Sequence, residues 1–203
     1  MKYKRLFVLI WACILVSLTN AQGINNSLRQ ELLSLEAEDQ KERIECAKRS
    51  GDEQIKCLSK IAETIDAKNT KRLNEIFEEF GFPSVKLVGK DGSQAYMLLL
   101  QHSTSDTLRV KSLKPIKKAF KRKEVSPSEY AGFVDRLRLH QGKAQIYGQG
   151  FSFKGDGKMI MDEVVDPKNL DKRRKKIGLP PIAEYVKMLE EIYHLKVDIP
   201  KIH

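Results

Sequence analysis

The segment 126–153, SPSEYAGFVDRLRLHQGKAQIYGQGFSF, concentrates polar side chains with no evident surface role: Asp135, Arg136, His140, Gln141, Gln145, Tyr147 and Gln149. A second source of chemistry is Gln101-His102, which ends the apolar run 95–100. Histidine titrates near neutrality, and arginine presents a planar fork of donors that fits a carboxylate or phosphate. Two function classes follow. In the first, Gln101, His102, Arg136, Gln145 and Tyr147 line a partly buried pocket of a binding module for a small anionic or polar ligand. In the second, the protein is a hydrolase or lyase. His102 would be general base, Asp135 its orienting partner or acid, and Arg136 the stabiliser of developing negative charge. The sequence favours the binding module, because no activated nucleophile is visible. A metal set of His102, His140 and Asp135 is a third reading. No cofactor is implied. There is no phosphate-binding glycine loop, paired zinc-ligand helix motif or nucleophile elbow.

These side chains need elements to hold them. Ser126, Pro127 and Glu129 form a capping box with proline at the first helical position. Tyr130, Phe133, Val134 and Leu137 then make one helical face, and Gly142 ends the helix. Asp135 and Arg136 fall on opposite sides of that stripe. Residues 144–153 alternate enough for a strand, 154–157 read as a turn, and 158–161 as its hairpin partner. The run 95–100 is apolar all round, as in a buried helix. A histidine ending such a helix needs hydrogen-bond partners, since an unmet buried polar group costs about 1–3 kcal/mol. His102, Asp135, Arg136, Gln145 and Tyr147 are therefore expected to converge on one polar cluster beside a cleft. A purely structural network is the plain alternative.

Elsewhere the chain reads as helices. Residues 22–65 form an N-terminal helical hairpin turning at Ser50-Gly51-Asp52, and the helical pattern continues to Phe80. Cys46 and Cys57 flank that turn, and a disulfide across it is expected. Residues 85–88 read as a short extended piece. A basic helix over 106–123 should kink at Pro115. Residues 170–177 are strongly basic, a last helix runs from Pro181 to Tyr193, and 194–203 form a loosely packed tail. The fold class is α+β and mainly helical: one domain of packed helices, its main part 66–193, with a small antiparallel β-hairpin.

Lys2, Lys4 and Arg5, the apolar run 6–18 and Thr19-Asn20-Ala21 form the pattern of a secretory signal peptide, residues 1–21. Cleavage after Ala21 removes three basic and no acidic residues, so the net charge falls from +10 to +7. An exported, disulfide-bearing monomer is the expectation, periplasmic or secreted, with no transmembrane segment after cleavage. Residues 81–176 hold 21 Lys/Arg against 10 Asp/Glu, a net of +11. Such a region can attract anions, but nucleic acid is not the expected partner of an exported protein.

Gln101-His102, Tyr130-Ala131 with Asp135-Arg136, Gly142, Gln145, Tyr147-Gly148, an arginine at 173 or 174, Gly178-Leu179 and Tyr185 occur in this order. Together they resemble a bacterial family catalogued only as a domain of unknown function. Its pattern runs QH, YAxLxDR, GxxQxYG, then an R…GL segment and a Tyr. Phe80-Gly81-Phe82-Pro83 is similar to its preceding element. The resemblance covers about residues 73–185. It implies no established activity; Gln149, Arg173 and Arg174 are further ligand-binding candidates. The family places a glutamine two residues after the glycine of YG, whereas Gln149 here follows Gly148 directly.

Overall fold

The computed structural model describes residues 23–49, 51–154, 158–194 and 196–199. The expected signal peptide lies outside them. Helix α1 spans Asn26–Ala47, and α2, Gly51–Ile61, returns beside it. Cys46 and Cys57 are joined by a disulfide, 11 residues apart in the chain. Without a break, α2 widens into a π-helical turn, Ala62–Asp66, and continues as α3, Ala67–Phe80. The extra residue in a π turn rotates the helix beyond it, so Asp66, Asn69 and Thr70 join Leu73 and Ile76 on the buried side. Gly81, with φ +70°, stops α3, as a helix C-terminus commonly requires.

Helix α4, Val85–His102, is central, lying against α1, α3 and α6. Its first turn holds residues 85–88, which the sequence reads as extended. Val88 is fully buried in the core, and the Leu87 carbonyl accepts a hydrogen bond from Asn25 N–H. A four-residue apolar run carries too little periodicity to separate strand from helix, so packing on α1 decides. Gly89 breaks the helical dihedrals with φ +75° and re-aims the rest of α4. Helix α5, Asp106–Lys121, runs on through Pro115. The proline removes one donor, and the carbonyl it leaves belongs to Lys111, on an exposed residue where water can meet it.

Helix α6, Pro127–His140, begins with the expected capping box. It packs beside α5 and α4, and Leu99, Leu100, Ile116, Tyr130 and Phe133 share the main core. Strands β1, Phe151–Lys154, and β2, Lys158–Met161, pair antiparallel. The strand is shorter than expected: residues 145–150 form a loop with one isolated bridge, Gln145 to Val164. After helices α7, Leu170–Ile177, and α8, Ile182–Tyr193, strand β3, Lys196–Asp198, pairs parallel to β2. The stretch read as a loose tail thus completes a three-stranded mixed sheet. Val197 is buried against Met159 and Leu189, an apolar gain that three residues of sequence do not announce. The protein is mainly helical α+β, in one domain. Among the described residues, no helix is long and apolar enough to cross a membrane.

Candidate functional site

Helix α6 presents two chemically different sides. On one, Asp135 is almost completely buried. Its Oδ1 accepts hydrogen bonds from the backbone N–H of Ile146, at 2.7 Å, and Tyr147. Its Oδ2 accepts from Tyr147 and Gln149, at 3.0 and 3.1 Å. Burial pushes the Asp135 pKa above the usual carboxylate range, while these backbone donors and the nearby Arg174 pull against it. Gly148, at φ +70°, supplies the turn that brings three amides onto one carboxylate. These donors explain why no strand forms here: they face a side chain and not a ladder.

The same loop is tied from its other edges. Gln145 is fully buried; its Nε2 donates to the carbonyls of Gly150 and Asp162, and its Oε1 accepts from Gly150 N–H. Arg173 donates to the carbonyls of Ile146, Asp166 and Val165. Arg174, also fully buried, donates to the carbonyls of Tyr147 and Pro180, and its guanidinium lies 5.1 Å from the Tyr185 ring centre. Asp135, Gln145, Arg173 and Arg174 therefore hold backbone. Apart from Arg174 Nη2, which is buried without a hydrogen-bond partner, their polar atoms are taken up mainly by the loop and its neighbours.

On the other side of α6, Arg136 and Gly132 face a cavity of about 400 Å³. Gln101, Ser128, Glu129, Gln149, Asp162 and Tyr185 contribute its polar lining, and Leu139, Phe151, Met159 and Leu189 its apolar wall. Arg136 keeps contact with solvent and makes no hydrogen bond or ion pair among the described residues. Burial, then the field of Arg43, lower its pKa, with Asp162 opposing; arginine stays charged regardless. The Nε2 of Gln149 is buried with no partner. Gln101 reaches α6 at Gly132, where a Cβ would stand in ordinary contact with its Oε1, at 3.5 Å.

His102 turns elsewhere. Its Nδ1 lies 3.0 Å from Oδ2 of Asp39, a fully buried carboxylate on α1. Asp39 also accepts from Gln40 and Arg43, and Arg43 reaches on to Asp66 at 2.6 Å. Burial pushes Asp39 up, but His102 and Arg43 outweigh it and hold its pKa below the usual value. Asp66 is pushed up by burial more than Arg43 pulls it down. Asp39, Asp66 and His102 bring three potential metal-ligand atoms within 4.8 Å of one another. The Arg43 guanidinium already bonds both carboxylates, so it fills the countercharge role there.

The expected single cluster is thus divided. Asp135, Gln145 and Tyr147 meet at the loop, Arg136 faces the cavity with Gln101 and Gln149, and His102 pairs with Asp39. The third reading, a His102, His140 and Asp135 metal set, does not assemble: His140 lies 3.4 Å from Asp106, His102 is turned to Asp39, and Asp135 is taken up by the loop amides. Sequence reasoning misses Asp39, although a signal for it exists. It falls on the buried stripe of α1 with Leu28 and Leu32, where an apolar residue is due. Asp162 carries no comparable signal. No curated protein and no solved structure matches this chain. The model of one family, described as "Family of unknown function (DUF6624)", matches residues 26–198, and the chain belongs to that family.

Proposed function

We propose that the protein is an exported binding module whose cavity beside α6 takes a small polar ligand bearing a carboxylate or phosphate. One observation carries this: Arg136 and Gln149 line the same cavity, and among the described residues neither the Arg136 guanidinium nor the buried Gln149 Nε2 has a protein partner. A solvated guanidinium beside a buried donor is a ready site for a two-oxygen anion. The cavity's volume lies in the range of small-ligand sites, roughly 300–1,000 Å³. Gln101, Arg136 and Gln149 are the contacts; Asp135, Gln145, Tyr147, Arg173 and Arg174 shape the loop that brings Gln149 to them. Titration with propionate and with inorganic phosphate tests the proposal. The natural chain should bind at least one and Arg136→Gln neither; equal behaviour of the two proteins refutes it.

Export is supported by the Cys46–Cys57 disulfide, since such bonds persist in oxidising compartments. Trp11 is the chain's single tryptophan. The exported form should show no tryptophan emission, and detecting it there would refute cleavage after Ala21.

A hydrolase or lyase reading is favoured by one feature. His102 points Nδ1 at Asp39 and leaves Nε2 without a hydrogen bond among the described residues. A carboxylate that fixes the imidazole in this way orients a general base, with Asp39 in the role the sequence suggests for Asp135. Turnover of small esters or amides that is lost in His102→Gln would support it; equal turnover in the variant would end it.

A further inference from the structure

The charges around the cavity narrow the ligand further, on the proposal that this cavity is the binding site. Its lining carries one guanidinium, Arg136, and two carboxylates, Glu129 and Asp162. Among the described residues neither carboxylate forms an ion pair with a cationic side chain. Glu129 accepts from Ser126 N–H through Oε2, and Asp162 accepts from the Ser152 hydroxyl through Oδ1. Each thus keeps its other carboxylate oxygen without a hydrogen bond among the described residues, while Arg136 keeps its whole fork.

A ligand with only negative groups would satisfy Arg136 and Gln149 but stand near two carboxylates, of which only Asp162 is within the field of Arg136. A ligand with only positive groups would leave Arg136 and the buried Gln149 donor unmet. A molecule with one carboxylate and one ammonium group matches both signs. The remaining wall is apolar and aromatic: Leu139, Phe151, Met159, Leu189 and Tyr185. Gly150 keeps the floor open between these groups, since a Cβ there would meet Leu139 Cδ1 at 2.5 Å and Asp162 Oδ2 at 3.0 Å.

We infer that the cavity recognises a zwitterion with an apolar side chain, that is, a short peptide or an amino acid. Its carboxylate would lie on Arg136 and Gln149, its ammonium on Asp162 and Glu129, and its side chain on the apolar wall. The lining residues come from α4, α6, the 145–150 loop, β1, β2 with Asp162 just after it, and α8, so the site closes only in the folded domain.

The test uses the mature chain and three probes: glycyl-L-leucine, its N-acetyl derivative and its C-terminal amide. Calorimetric or NMR titration should show the free dipeptide binding at least about tenfold tighter than either blocked form, the equivalent of about 1.4 kcal/mol for one lost charge contact. Asp162→Asn should bring the free dipeptide down to the level of the acetylated one, with the thermal midpoint as a check that the variant is folded. Glu129→Gln provides a second such variant. If the acetylated dipeptide binds as tightly as the free one, the zwitterion is refuted while the anion site at Arg136 stands. If no probe binds while propionate or phosphate does, the peptide class is refuted on its own. If none of these binds, the binding proposal falls as well.

Discussion

Asp135 and Arg136 are neighbours in the chain and opposites in the structure. Asp135 is 1% exposed, and its carboxylate collects hydrogen bonds from three backbone amides. Arg136, one residue on, faces a cavity and bonds to nothing among the described residues. A buried polar group with every partner in place fixes a structure, because its partners have nothing else to bond. A charged group left open beside a buried unmet donor keeps its interaction energy for something outside the chain. The difference separates the residues that build this site from those that would use it.

Breaking the Asp135 side should have the largest effect. Asp135→Asn keeps the shape but puts an amide N–H against backbone donors, and should cost about 2–4 kcal/mol in denaturant unfolding. A loss below about 1 kcal/mol would mean that the loop is held mainly by Gln145, Arg173 and Arg174. Gly150→Ala comes next. Its Cβ would strike Leu139 and crowd Asp162 and Gln145, so overpacking should cost about 1–3 kcal/mol and shrink the cavity. Binding of any cavity ligand should weaken with it, joining the two sides in one substitution.

The His102 cluster offers a pH measurement. Asp39 has a folded pKa held below its usual value, so its ionised form supports folding. That support is present above the unfolded value of about 3.9 and is lost as pH falls through the folded value. The stability gap between the natural chain and Asp39→Asn should therefore narrow as pH is lowered from about 5 into that range. A gap that widens instead would show the buried charge to be a cost. The smallest structural effect belongs to Arg136→Gln, which should leave stability within about 0.5 kcal/mol and remove only binding. A larger loss would place Arg136 among the building residues and dissolve the contrast with Asp135.

Much of the local structure was legible in the sequence. The Ser126–Glu129 capping box, the apolar stripe of α6, the buried run before His102, the stop at Gly81 and the disulfide across the α1–α2 turn all depend on residues a few positions apart. Such pairs are brought together by the helix repeat or a short turn, so spacing alone announces them. The site was legible in its members but not in its arrangement. That Asp135 and Arg136 differ in direction is fixed by the helical angle, but what each meets is not. His102 finds Asp39 from 63 residues away, and Arg173 and Arg174 find the Ile146 and Tyr147 carbonyls from 27. Those partners depend on how α1 lies on α4 and where α7 docks on the loop. Packing of whole elements sets those positions, and no local spacing encodes it.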